Sequence, residues 1–334
     1  MIMAEPATEQ QATASTGSTV RRTKVSVVGA GAVGATMAYA LLTRGVAREV
    51  ALFDINRAKV EAEALDLAHG IQFTAQSEVV GSDDVEVVRG SDVVIVTAGA
   101  KQKPGQSRLE LAESTISLMG KILPSLLEVA PDAIYLMVTN PVDVVTYASL
   151  KLTGLPPNRL FGSGTVLDSS RLRYLVAQAT GVAVQNVHAY MVGEHGDSEI
   201  PLWTSATIGG APLLDWQGLE GRGPLGDAER AAIAYEVVNS AYRIIEGKGA
   251  TNYAIALAGS RIVEALLYDQ HAVLPVSSLL KDYYGISDVC LSVPSVVGKG
   301  GVLHQIEVPL SAAELRGLQA SAESIRNTAR SFGL

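Results

Sequence analysis

The segment Lys24-Val-Ser-Val-Val-Gly29-Ala-Gly31-Ala-Val-Gly34 constrains the fold more than any other part of this chain. It reads as a short buried strand that turns on glycines and opens directly into a helix. Gly29 permits the tight turn, Gly31 lets the backbone approach a pyrophosphate, and Gly34 lets the helix pack close to the strand. A pyrophosphate would then sit at the helix N-terminus, where free N–H groups and the helix dipole favour negative charge. A second apolar run, Glu49-Val-Ala-Leu-Phe, ends at Asp54, twenty residues after Gly34. A carboxylate there accepts hydrogen bonds from ribose hydroxyls and repels a 2′-phosphate, which selects NAD over NADP. Arg57 argues the other way, but Asp54 is better placed. The alternative for Asp54 is an N-cap of the helix that begins near Arg57.

Beyond this segment, apolar runs at Val25–Val28, Val50–Phe53, Val93–Val96 and Ile134–Val138 alternate with helical patterns at Ala32–Arg44, Arg57–Phe73 and Leu109–Val129. Such alternation requires crossover connections and a parallel sheet, giving a Rossmann-type, doubly wound α/β domain. Ligands bind such sheets beyond the C-terminal ends of the strands. The polar residues cluster there. Val93–Val96 leads into Thr97-Ala-Gly99-Ala100 and the loop Lys101–Arg108; Ile134–Val138 leads into Thr139-Asn140-Pro141, where Pro141 suits the first turn of a helix. The second half reads as an α+β substrate domain. It has helical patterns at Asp168–Ala179, Asp227–Glu246 and Thr251–Tyr268, a strand-like run Val187–Val192, antiparallel strands over 271–310 and a closing helix near 311–331. The expected organisation is a disordered tail over 1–20, a dinucleotide-binding domain over 21–163 and a catalytic domain over 164–334, divided near the hinge Gly162–Gly164.

The chain has 334 residues, 48% of them hydrophobic and 18% charged, enough for two lobes with a substantial core. A net charge of −8 with acids and bases interspersed leaves no basic face for nucleic acid. Residues 1–20 lack the basic start and apolar core of a secretory signal, and no apolar run is long enough to span a membrane. The single cysteine, Cys290, excludes an intrachain disulfide, suits a cytoplasmic location and, with five scattered histidines, makes a Cys/His metal site unexpected.

His195 lies between glycines just past a strand-like run, in Gly193-Glu-His-Gly-Asp-Ser198. An imidazole with an ordinary pKa near 6.5 is the natural proton donor or acceptor at neutral pH. Asp168 and Arg171 stand three apart at a helix start and so share a face. The acid is suited either to complementing the helix dipole or to orienting His195 and raising its pKa. Arg171 offers a planar fork for a carboxylate, and Arg108, at the end of a Gly/Pro loop, could deliver a charge on closure.

Gly29-Ala-Gly-Ala-Val-Gly34, Thr97-Ala-Gly-Ala100, Gln106-Ser-Arg108, Thr139-Asn-Pro-Val-Asp143, Leu167-Asp-Ser-Ser-Arg171 and Gly193-Glu-His-Gly-Asp-Ser198, in this order and spacing, resemble the L-lactate/malate dehydrogenase family over about residues 22–331. The resemblance implies an NAD-dependent 2-hydroxy acid dehydrogenase, in which His195 protonates the ketone, Asp168 holds His195, Arg171 anchors the substrate carboxylate and Arg108 polarises the carbonyl. It also implies that Asn140, Asp143 and Thr251 line the substrate pocket. Val33, Lys59, Gly99, Ala100, Val138, Asn140 and Ser163 would join Gly29, Gly31, Gly34 and Asp54 around the coenzyme. Position 102, an arginine in malate dehydrogenases of the family, is the neutral Gln102, which fits the methyl group of pyruvate. A second carboxylate there would be left unpaired. The flanking Lys101 and Lys103 would present an ammonium if the register shifted by one. The expectation is therefore pyruvate/L-lactate, with malate dehydrogenase as the alternative.

Arg173 is turned about 200° around the helix from Arg171 and cannot serve the same substrate. With His188 it resembles the fructose 1,6-bisphosphate site of allosteric bacterial lactate dehydrogenases, which implies a homotetramer activated by that effector. Ala62, Leu65 and His69 on one helix face resemble the family's subunit-contact helix.

Overall fold

The computed structural model describes residues 22–99, 108–219 and 223–334. The expected tail over 1–20, Ala100 and Gln102 lie outside these residues. Arg108 opens a helix, but its side chain is likewise outside the description.

The first half runs β1 (Lys24–Val28), α1 (Ala32–Thr43), β2 (Glu49–Phe53), α2 (Arg57–His69), β3 (Glu78–Ser82), β4 (Val93–Val96), α3 (Arg108–Val129), β5 (Ile134–Met137), α4 (Val142–Thr153) and β6 (Leu160–Gly162). Its strands pair in parallel in the order β3-β2-β1-β4-β5-β6. The central strands are covered on both faces, which is why they read as continuous apolar runs. Val25, Val27 and Ile95 pack towards Met37 and Leu41 of α1 on one face, and Val94 and Val96 towards Met119 and Leu123 of α3 on the other. Helix α2 ends at His69, earlier than its periodicity suggests, and a single 3-10 turn, Ile71–Phe73, completes the stretch. Pro141 precedes α4 as its N-cap instead of entering its first turn.

The second half runs α5 (Val166–Thr180), β7 (Val187–His188), β8 (Met191–Val192), β9 (Ile200–Pro201), β10 (Thr207–Ile208), β11 (Ala211–Pro212), α6 (Asp227–Lys248), α7 (Tyr253–Leu267), β12 (Ala272–Leu279), β13 (Cys290–Gly298), β14 (Gly301–Gln305) and α8 (Ala312–Ser331). The antiparallel strands β12-β13-β14 do not stand apart. They continue the parallel sheet through a Ser277–Gly162 pair and so close the edge that β6 would expose. The single run expected over Val187–Val192 is two short strands. Strand β7 pairs with β10 and β8 with β9, so the chain changes sheets at Ala189–Tyr190 and delivers Gly193 to an isolated bridge with Ser292 of β13. That bridge fixes where the His195 loop meets the main sheet. No helix among the described residues is long and apolar enough to cross a membrane.

Candidate active site

The coenzyme half of the site is built at the C-terminal ends of β1, β4 and β5. Gly29 has a φ of +101°, and a Cβ on it would lie 2.8 Å from the Ala98 backbone nitrogen. At Gly34 a Cβ would lie 1.8 Å from the Gly29 carbonyl oxygen. Both glycines are therefore demanded by the turn itself. Gly31 differs: nothing lies within 4 Å of where its Cβ would be. Its lack of a side chain leaves a bare backbone at the N-cap of α1, which fits the approach of a pyrophosphate. Thr97 closes this crest by donating its hydroxyl to the Gly29 carbonyl at 2.9 Å, and Thr139 donates to the Ala98 carbonyl at 2.8 Å.

Asp54 accepts the Ala30 N–H through Oδ2 at 2.7 Å and the Asn56 N–H through Oδ1 at 2.9 Å. It ties the glycine turn to the end of β2 and is not the cap of α2. That role belongs to Asn56, whose side chain accepts the Lys59 N–H. A carboxylate oxygen has more than one acceptor position, so Asp54 retains capacity for ribose hydroxyls. Val33 is half-buried on α1 and the Lys59 side chain is exposed on α2. Gly99 and Asn140 are exposed just past β4 and β5, with Val138 and Ser163 buried beside them.

The catalytic half is built on α5 and the loop after β8. Asp168, buried in the first turn of α5, uses both carboxylate oxygens. Oδ1 takes Arg171 Nη1 at 2.6 Å and Oδ2 lies 2.6 Å from His195 Nδ1. The three-residue spacing on α5 thus yields a real ion pair, and Asp168 bridges the guanidinium to the imidazole. Burial opposes the charge on Asp168, but the positive charges of His195 and Arg171 outweigh it and hold its pKa below the ordinary value. Burial likewise works against a protonated His195. The Asp168 charge and hydrogen bond overcome it, and the imidazole pKa rises to about 9. One Arg171 nitrogen is held by Asp168; the rest of its fork can meet a substrate carboxylate.

Asp143, expected in the substrate pocket, is enclosed by polar partners. It is buried on α4, where Oδ1 accepts the Ser277 hydroxyl at 2.6 Å and Oδ2 accepts the His195 backbone N–H at 2.7 Å. Both oxygens are engaged and the residue is 1% exposed, so its contact with the His195 loop is made from beneath. Because Asp143 lies three residues after Asn140, the same short segment links the glycine crest to His195. Thr251 is half-buried in the turn between α6 and α7, which is tethered to α1 by a 2.9 Å bond from Asn252 Nδ2 to Thr36 Oγ1. Arg173 points away from Arg171: its Nε donates to the Ala189 carbonyl at 2.9 Å and its guanidinium lies 5.1 Å from the Tyr190 ring centroid, beside the exposed His188.

Three supporting residues escaped the sequence reading. Ser277 holds Asp143. Ser321, buried on α8, accepts the Glu194 N–H at 2.8 Å and bonds the Ser198 hydroxyl at 2.9 Å. Glu199 is buried within reach of Asp168 and His195. Serines in a strand and a helix carry no local signal of such roles. Glu199 could have been suspected, since an acid four residues after a loop histidine lies close to it.

Comparison with known proteins agrees with this arrangement. Residues 23–162 match the lactate/malate dehydrogenase NAD-binding domain, and residues 165–331 match the family's alpha/beta C-terminal domain. An L-lactate dehydrogenase of Bifidobacterium animalis subsp. lactis is 58% identical over 316 residues, covering 95% of this chain and 99% of that protein. One from a Thermoanaerobacter species is 46% identical over 304 residues, covering 91% and 97%. The crystal structure of a minor L-lactate dehydrogenase from Enterococcus mundtii superposes with a TM-score of 0.88 at 38% identity, covering 92% of this chain and 98% of that one. A glycine crest, an NAD-binding half and a catalytic half matched over nearly the whole length place this chain in the lactate/malate dehydrogenase family, as an NAD-dependent oxidoreductase.

Proposed function

We propose that this protein is an L-lactate dehydrogenase that interconverts pyruvate and L-lactate, with His195 exchanging the proton. The observation that carries the reading is the buried chain Arg171–Asp168–His195. Bound NADH supplies the hydride that reduces the substrate's C2. In that direction His195 donates its proton to the ketone oxygen, and Asp168 keeps Nδ1 engaged so that Nε2 is the working atom. Arg171 anchors the substrate carboxylate with the part of its fork that Asp168 does not use, and Arg108 polarises the carbonyl. Charge is thus in place before the alkoxide develops, so little reorganisation is needed. Pyruvate is favoured over oxaloacetate because Gln102 is neutral and because the similar proteins are named L-lactate dehydrogenases. Following NADH oxidation with each 2-oxo acid tests this: pyruvate should turn over far faster. A preference for oxaloacetate would overturn the substrate, and turnover of neither would overturn the reading.

A tetramer with a regulatory site, on the side of α5 away from Arg171, is part of this reading. Arg173 is braced by the Ala189 carbonyl next to the exposed His188, which leaves a guanidinium and an imidazole for a sugar bisphosphate. Leu65 on α2 and Tyr253 and Leu257 on α7 are more than half exposed, as expected of surfaces that subunits cover. Fructose 1,6-bisphosphate should lower the KM for pyruvate, and an R173Q/H188Q variant should lose that response. Superimposable curves with and without the effector would remove the regulatory site from this reading.

A further inference from the structure

Glu199 has no part in the chemistry above, yet it is buried inside it. The residue is 7% exposed, and its Oε2 is enclosed without a hydrogen-bond partner. One oxygen from it, one from Asp168 and a ring nitrogen of His195 all lie within 4.8 Å of one another. The charged groups that bear on it are Asp168 and Arg171 from α5 and His195 from its own loop. Asp143 on α4 bears on the same imidazole by its charge, and Glu194 bears on Asp143. Helix α8, packed on the strand after Glu199, brings Gly317 to Ile200 and Ser321 to the loop, and neither is charged. The closeness resembles a metal site, but both Asp168 oxygens are already engaged with Arg171 and His195.

We propose that Glu199 is a neutral carboxylic acid in the working enzyme, a positioning residue that turns its proton towards Asp168 and keeps a third negative charge out of the pocket. Two carboxyl groups this close in a buried site do not both ionise, and the proton goes to the one without a cation of its own. Asp168 has Arg171 and His195; Glu199 has neither as a direct partner. Burial, and then the negative charge on Asp168, push the Glu199 pKa up to about 9. If it were ionised, three carboxylates would face one imidazolium and one guanidinium before an anionic substrate entered. A proton on Glu199 also gives the orphaned oxygen a partner.

This inference rests on His195 exchanging the substrate proton, but its test can be read without turnover. At pH 8, where Asp143 is ionised, the infrared spectrum of the wild-type protein minus that of E199Q should contain the carbonyl band of a protonated carboxyl group. In the wild type alone, that band should fade as the pH passes about 9. Its absence at pH 8 overturns the proposal, whatever His195 does. The pH profile of pyruvate reduction gives the second reading. Below about pH 8, where Glu199 holds its proton, the amide of E199Q replaces one neutral group with another, so the two profiles should run parallel there and part only where Glu199 and His195 both titrate, near 9. If Glu199 were already a carboxylate at neutral pH, E199Q would remove a negative charge beside His195 and bring the fall in activity into the neutral range, which also overturns the proposal. A merely structural side chain would change kcat and produce no titrating band.

Discussion

Asp168 stands 2.6 Å from His195 on one side and 2.6 Å from Arg171 on the other, so one buried carboxylate couples the proposed proton donor to the proposed substrate anchor. The coupling has a direction in pH. The His195 pKa is raised to about 9, so the imidazole is loaded at neutral pH and discharges as the pH rises through that value. Pyruvate reduction, which needs the proton, should fall along that limb, while lactate oxidation, which needs the neutral base, should rise over the same window. Asp168→Asn removes the charge that sustains the shift. Its limb should move down towards the ordinary histidine range near 6.5, with kcat lowered by roughly 10²- to 10⁴-fold. Profiles of kcat/KM in both directions check this. An unshifted limb would mean that another group carries the proton.

The glycine crest separates two reasons for having no side chain. Gly34→Ala drives a methyl into the Gly29 carbonyl, so both the fold and the coenzyme site should suffer. Gly31→Ala places the methyl in open space, so its thermal unfolding should match the wild type while NADH affinity, read by nicotinamide fluorescence, falls by about tenfold or more. Undiminished NADH binding by G31A would show that the pyrophosphate does not pass over this residue.

Much of this was legible in the sequence because the determining signals are local. A parallel strand buried on both faces announces itself as an apolar run, as at Val93–Val96, and a helix that brings Asp168 and Arg171 to one face needs only a spacing of three. The missed elements lack such signals. Strand β3, Glu78-Val-Val-Gly-Ser, is an edge strand that is at most half-buried, and β6 is only three residues long because β12 completes its pairing from 110 or more residues away. The roles of Asp143, Ser277 and Ser321 depend on contacts across 52, 134 and 127 positions. No periodicity encodes those distances. Asp143 sits in a motif associated with the substrate, and only the packed structure shows its oxygens turned to the back of the His195 loop.

That location makes a stability prediction for Asp143. Burial raises its pKa to about 6, although the Ser277 and His195 hydrogen bonds pull the other way. A carboxyl whose folded pKa exceeds its unfolded value adds stability that is complete below about pH 4 and lost as the pH rises through 6. Asp143→Asn stays neutral and avoids this loss, and the Ser277 hydroxyl can rotate to accept from the amide. Between pH 4 and 8 the variant should therefore gain about 2–3 kcal/mol relative to the wild type in denaturant unfolding. A difference independent of pH would show that the carboxyl is not buried as a charge in the native protein.

Ser321 tests whether the last helix takes part in catalysis. Its hydroxyl accepts the Glu194 N–H and bonds Ser198, whose hydroxyl in turn donates to the Glu194 carboxylate, so α8 grips the loop on both sides of His195. Ser321→Ala leaves a part-buried N–H without its partner, which costs about 1 kcal/mol. The wider consequence is geometric, because His195 keeps its backbone bond to Asp143 and its ring bond to Asp168 but loses the brace on its loop. The turnover number and kcat/KM for pyruvate should fall together by roughly threefold to tenfold, since small errors in alignment are felt most in the transition state. NADH affinity should not change, because the coenzyme crest on β1, β4 and β5 makes no use of α8. A variant that melts lower but turns over at the wild-type rate would reduce Ser321 to a fastening of the fold, leaving Asp143 and Asp168 as the groups that aim His195.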